Sequence, residues 1–96
     1  MPPIQNQVPP LHHKLKTWPI FYNACVSGAK TFDIRRNDRD YQIGDLLKFV
    51  EFDPVNKRET GNTAWFKVVY LISGAEHKHI GIHPDFVVMG IEPIKV

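Results

Sequence analysis

Thr31, Asp33 and Arg35 recur at every second position, and Arg36, Asn37 and Arg39 follow at once. An arginine presents a planar fork of donors that grips phosphate oxygens or a guanine edge bidentately. An asparagine amide both donates and accepts, so Asn37 can read the edge of a base. One arrangement of these residues is a small polar cleft in which Arg35 anchors an anion or a base, Asp33 orients Arg35, and Lys30 stands nearby. The plainer arrangement is a solvated loop on which Arg36, Asp38, Arg39 and Asp40 pair with one another. Such surface pairs are worth only about 0–1 kcal/mol.

His13, Lys14, Lys16 and Trp18 form a second cluster. Lys14 and Lys16 share one face of a strand, opposite Leu11, His13 and Leu15, and Trp18 stands at the strand's end. A cation beside an aromatic ring can hold a phosphate while the ring stacks on its base. Trp18 can equally plug an end of the core, leaving the lysines solvated. His77 and His79 would share a face if their segment were a strand, with His83 close behind. No cysteine accompanies them, Lys78 adds a charge, and the segment reads as loop, so no metal site and no cofactor are expected. Cys25, the single cysteine, has no local partner and reads as a buried, inert thiol. Tyr41 is open to either reading, core residue or ligand-stacking ring.

These residues must be held by elements that the hydropathy pattern outlines. Residues 1–10 hold four of the eight prolines and no charge, which reads as a disordered lead-in before a domain spanning 11–96. Leu11 to Thr17 alternates as a strand. A two- to three-turn helix follows, with Pro19 in its first turn, Gly28 at its stop, and Ile20, Phe21, Ala24 and Val26 on one face. Lys30 to Arg35 is a strand with one apolar side, Phe32 and Ile34, and one polar side. RNDRD at 36–40 is a loop, and Gly44-Asp45 is the turn into the next strand. Leu46–Phe52 and Thr63–Ile72 form a hairpin with a long tip, DPVNKRETGN. Residues 73–85 read as a loop with weak strand character near Ile80 and Ile82, and Phe86–Ile91 is the last strand. Trp65, Phe66, Tyr70 and Phe86 read as core or barrel-wall rings. The sum is a mostly β (α+β) domain, four or five strands curled into a small barrel with one early helix.

Size and charge narrow the classes further. Ninety-six residues, 43% hydrophobic, make one small domain. Twelve Lys and Arg against ten Asp and Glu leave +2, so a basic site must come from local clustering. No apolar run approaches the ~20 residues of a membrane span. No signal peptide is visible, and the cysteine count excludes a disulfide framework, so a cytoplasmic setting is expected.

HHKLKTWP, SGAKTFDIRRNDRDYQIGD, and YLISG followed by FVVMGI resemble the ASCH domains of the PUA-like superfamily, in particular a small branch found in bacteria and phages. The likeness covers nearly all of residues 11–91. It implies a small β-barrel with a cleft beside the helix–strand junction that binds RNA or a modified nucleoside, and it favours Lys16, Lys30, Asp33 and Arg35 as ligand contacts. In this branch an aromatic follows the RNDRD-like loop, which makes Tyr41 a stacking candidate. In amidohydrolase relatives a lysine after the glycine and a threonine three residues later carry the chemistry. Lys30 fills the first position but Asp33 fills the second, and the loop that holds the family's catalytic glutamate is shortened here, so that residue has no assigned counterpart beyond Glu76 as a guess.

The reading is thus an RNA- or nucleotide-binding module using Lys16, Trp18, Lys30, Asp33, Arg35, Asn37, Arg39 and Tyr41. Its first alternative is a hydrolase of a modified nucleoside or of RNA, with Lys30 as activated amine or base and Asp33 orienting it or a water. Its second is a protein-interaction module governed by an exposed apolar patch.

Overall fold

The computed structural model describes residues 12–95. The lead-in expected at 1–10 and the domain start at Leu11 lie outside the described residues. Strands β1 (His12–Thr17), β2 (Phe32–Arg36), β3 (Leu46–Asp53), β4 (Arg58–Ser73) and β5 (Phe86–Ile94) form one sheet in the order β1-β3-β4-β5-β2. The domain is mostly β, and the sheet curls into a half-barrel. β1 runs parallel to β3; every other pairing is antiparallel. Among the described residues β1 and β2 are therefore the two free edges, and the half-barrel's unclosed seam lies between them.

Alternation assigns the concave face. His13, Leu15 and Thr17 are buried along β1, and Leu47 and Phe49 lie beside His13 and Leu15 on β3. Phe66 and Val68 of β4 and Val87, Met89 and Ile91 of β5 complete the core, with Phe49 and Phe66 ring centroids 4.9 Å apart. His13 would be costly here without a partner. Its Nε2 lies 2.8 Å from the Asp45 carboxylate, which also accepts the Gln42 N–H, so the turn before β3 is fastened to β1.

Helix α1 (Pro19–Val26) begins where Trp18, kept extended by the proline after it, hands over to Pro19. Its rotation differs from the expected one. Ile20, Phe21 and Val26 face solvent, and Tyr22 and Cys25 are buried. An eight-residue helix tethered to strands at both ends presents one narrow stripe to the sheet. The entry angle at Trp18–Pro19 selects that stripe, whatever the tally of apolar residues on the other side.

Other boundaries also differ: the strand expected at Lys30–Arg35 starts at Phe32 and runs on to Arg36, the first residue of the expected loop. The β3–β4 tip is four residues long, because strand pairing continues past a bulge at Val50/Phe52 to Asp53 opposite Arg58. Asp53 caps this turn by accepting the Val55 and Asn56 N–H groups, and these bonds hold its carboxyl below the usual carboxylate range. Ile80 ends a single 3-10 turn (Lys78–Ile80) and is no strand residue. β5 runs on to Ile94, past the expected end at Ile91.

Strand β2 is apolar on the outside. Phe32 and Ile34 are exposed on the convex face, while Asp33 points inward and is buried. Tyr70 is likewise exposed on the convex face of β4. Of the four expected core rings only Phe66 is fully buried; Trp65 and Phe86 are half-buried.

Candidate functional site

Among the described residues the side chain of Arg35 bridges the seam. The Arg35 Nη1 donates to the Lys16 carbonyl and Nη2 to the Thr17 hydroxyl, each at 3.0 Å. Asp33 aims the guanidinium, accepting from Nε at 2.6 Å. The second Asp33 oxygen accepts from Lys30 Nζ at 3.2 Å. The guanidinium also lies over Phe49, 5.5 Å from the ring centroid. Three of its five N–H donors are thus committed, which leaves one on each terminal nitrogen.

Lys30 is more completely committed. Its Nζ donates to the Phe32 carbonyl at 2.8 Å and to Asp33, and it sits over the rings of Phe21 and Phe32. A nucleophile or base must present a lone pair, and this nitrogen is turned to acceptors and ring faces. Lys30 and Asp33 therefore act on Arg35, and Lys30 lines neither of the hollows described next.

Two hollows flank Arg35. A cationic one of about 540 Å³ is lined by Lys14, Leu15, Lys16, Arg35, Arg36, Asp38, Arg39, Tyr41 and Glu59. An aromatic one of about 580 Å³ is lined by Lys16, Thr17, Trp18, Phe21, Asp33, Ile34, Arg35, Arg36 and Phe86. Lys16, Arg35 and Arg36 form their common wall. In the first hollow, Lys14 meets Glu59 at 3.4 Å and Arg39 meets Asp38 at 4.0 Å, both between exposed groups. Pairs of that kind yield readily to a ligand anion. Lys16 has no carboxylate within 4.0 Å among the described residues; its Nζ lies over the Phe52 ring. In the second hollow, Trp18 and Phe21 are half exposed, their ring planes within 23° of parallel and centroids 6.5 Å apart.

The structure thus brings Lys16, Trp18, Asp33, Arg35, Arg39 and Tyr41 to one seam. Asn37 is not among them. Its N–H bonds to the Asp85 carbonyl, and the residue lines a separate depression beside Ala75 and Pro84. Tyr41 is a buried wall and no exposed rim ring. It packs 4.8 Å from His13, and burial pushes its phenol above the ordinary value despite Arg35 and Arg39 nearby. The expected pairing within the RNDRD loop holds only for Asp38 and Arg39, since Arg36 reaches across to Asp85 and Asp40 accepts from Gln42.

Phe21, Ile34 and Glu59 join the site although the sequence did not mark them. Phe21 could have been found as the residue one helical turn after Trp18, and Glu59 by ending the hairpin tip sooner. Glu76 lies in the segment between β4 and β5 and lines neither hollow. His77, His79 and His83 are exposed, His83 Nδ1 accepting the Asp85 N–H. Among the described residues no group of three or more His, Cys, Asp or Glu side chains is arranged to hold a metal ion. No helix among them is long and apolar enough to cross a membrane.

Cys25 lies on the buried face of α1, and burial raises its thiol above the ordinary value, with Lys30 opposing. Its reaction with a disulfide reagent such as Ellman's is expected to be more than about tenfold slower in the native protein than in denaturant. Equal rates would place the thiol at the surface.

No curated protein matches the chain. A family model described as a domain of unknown function matches residues 12–91, the whole sheet but for its last few residues. The chain belongs to that family, DUF3850.

Proposed function

We propose that the domain is an RNA- or nucleotide-binding module that holds its ligand across the β1–β2 seam. The observation that carries this reading is the junction of a cationic hollow with an aromatic one on a common wall of Lys16, Arg35 and Arg36. A nucleotide has the same two-part character, an anionic phosphate beside a flat ring, and proteins hold the parts with cations and stacking side chains. The half-barrel with its early helix supports placing the domain with the ASCH and PUA-like domains that the sequence resembles. The lone buried cysteine suits a reducing, cytoplasmic setting.

The hydrolase reading receives less support, because Lys30 donates to a carbonyl and a carboxylate and Asp33 is occupied on both oxygens. The interaction-module reading is favoured by a different feature, the exposed Phe32, Ile34 and Tyr70 on the convex face.

Fluorescence anisotropy with labelled single-stranded RNA, at low and moderate salt, tests the proposal. Lys16→Ala and Arg39→Ala are the informative variants, since Arg35→Ala would also unlatch the seam. Each is expected to weaken binding and to reduce the salt slope by about 1. Flat titrations at both salt concentrations would remove nucleic acid as the partner.

A further inference from the structure

The aromatic hollow is bounded by strand edges as well as by rings. In a strand, the N–H and C=O of one residue point to the same side, and successive residues alternate. The Lys16 carbonyl meets Arg35 across the seam, so the main chain of Lys16 faces the seam and that of Leu15 and Thr17 faces β3. On β2, the Thr31 carbonyl accepts from Ile91 and the Asn37 N–H donates to Asp85, so the odd-numbered residues face β5. Phe32, Ile34 and Arg36 consequently face the seam. Lys30 covers the Phe32 carbonyl, and the Asp38 N–H covers that of Arg36. Among the described residues nothing pairs with the N–H and C=O of Ile34, which stand side by side at the edge of the sheet, on the wall of the hollow that holds Trp18 and Phe21.

An adjacent donor and acceptor match the hydrogen-bonding edge of a nucleobase, and a half-exposed ring pair offers its face a stacking surface. We propose that the aromatic hollow reads one unpaired base, stacked on Trp18 and Phe21 with its edge on the Ile34 main chain. The proposal rests on the nucleotide-binding reading and adds what is recognised: a base with a free edge, where the cationic hollow by itself would take any phosphate. A base in an RNA duplex has its Watson–Crick edge paired and its faces covered by its neighbours, so it can offer the hollow neither that edge nor a face to stack.

The test compares three labelled probes on the full chain at one salt concentration: a short single-stranded RNA, the same strand made abasic, and the same strand annealed to its complement. The intact single strand is expected to bind at least about fivefold more tightly than either of the others. Trp18→Ala should reduce it to the abasic level. Ile34→Pro removes the N–H at a position outside the β5 ladder, on an edge where proline is tolerated. It should lower binding of the intact strand and leave the abasic probe unchanged. Equal binding of all three probes overturns base reading while the phosphate-binding reading stands; no binding of any probe overturns both. Should Ile34→Pro fail to fold by circular dichroism, the abasic comparison on the unmodified protein decides alone.

Discussion

Replacing Asp33 with alanine is expected to cost about 3 kcal/mol of stability. In a domain of this size that lowers Tm by more than about 10 °C, read by far-ultraviolet circular dichroism on heating. Asp33 is 5% exposed, and both of its oxygens are taken by cations that are themselves mostly covered. Alanine would leave Lys30 and Arg35 without the charge between them, in surroundings where water can restore only part of their solvation. It would also free the Arg35 guanidinium from the orientation that serves Lys16 and Thr17. Asp33→Asn keeps the volume and one acceptor, so it should fall between the two. A Tm within about 3 °C of the parent for Asp33→Ala would mean that both cations swing out to solvent and that the latch contributes little.

Gly74→Ala is the second large effect, and its cause is steric. The Gly74 N–H donates to the Phe86 carbonyl at 2.8 Å. A Cβ there would overlap the His83 carbonyl oxygen and crowd the Ile82 side chain. Overpacking typically costs about 1–3 kcal/mol, and a clash with backbone belongs at the upper end because no rotamer change relieves it. The same thermal melt measures it. The crossing at Gly74 pins the segment that leads into β5, including Asp85, the partner of Arg36. The RNA binding proposed above should therefore weaken along with stability, even at low temperature. An unchanged Tm would show that the 74–85 segment shifts freely.

Much of this was legible in the chain because alternation is a strong signal. Leu11, His13 and Leu15 read as one side of a strand from spacing, and so did Thr31, Asp33 and Arg35 as one side of another. That the polar side of β2 is the buried one was not legible. Periodicity separates two faces but does not say which one meets the core, and Phe32 and Ile34 argued for the opposite choice. The rotation of α1 was hidden for a related reason: Ile20, Phe21 and Val26 outnumber Tyr22 and Cys25, yet the tethering strands decide which stripe is covered. Asn37 lost its place in the cleft through one backbone bond to Asp85, a contact 48 positions along the chain that no local pattern encodes. Lys16, Arg39 and Trp18 were recoverable because exposed cations and an exposed ring at a strand end depend little on distant packing.

The strand order has a consequence for how the protein comes into being. β1 and β2 are neighbours in the chain but stand at opposite ends of the sheet, and among the described residues β2 finds its only strand partner in β5, the last element. A growing polypeptide that has passed residue 60 has already made every cation and ring of the seam except Phe86. It cannot yet arrange them, because the strand that fixes β2 is still missing. Pairing across so long an interval is slow, since loop closure must come before the contacts that offset it. A ligand of the kind proposed, spanning the seam, would therefore recognise only the finished domain and would hold its two edge strands, β1 and β2, in place together.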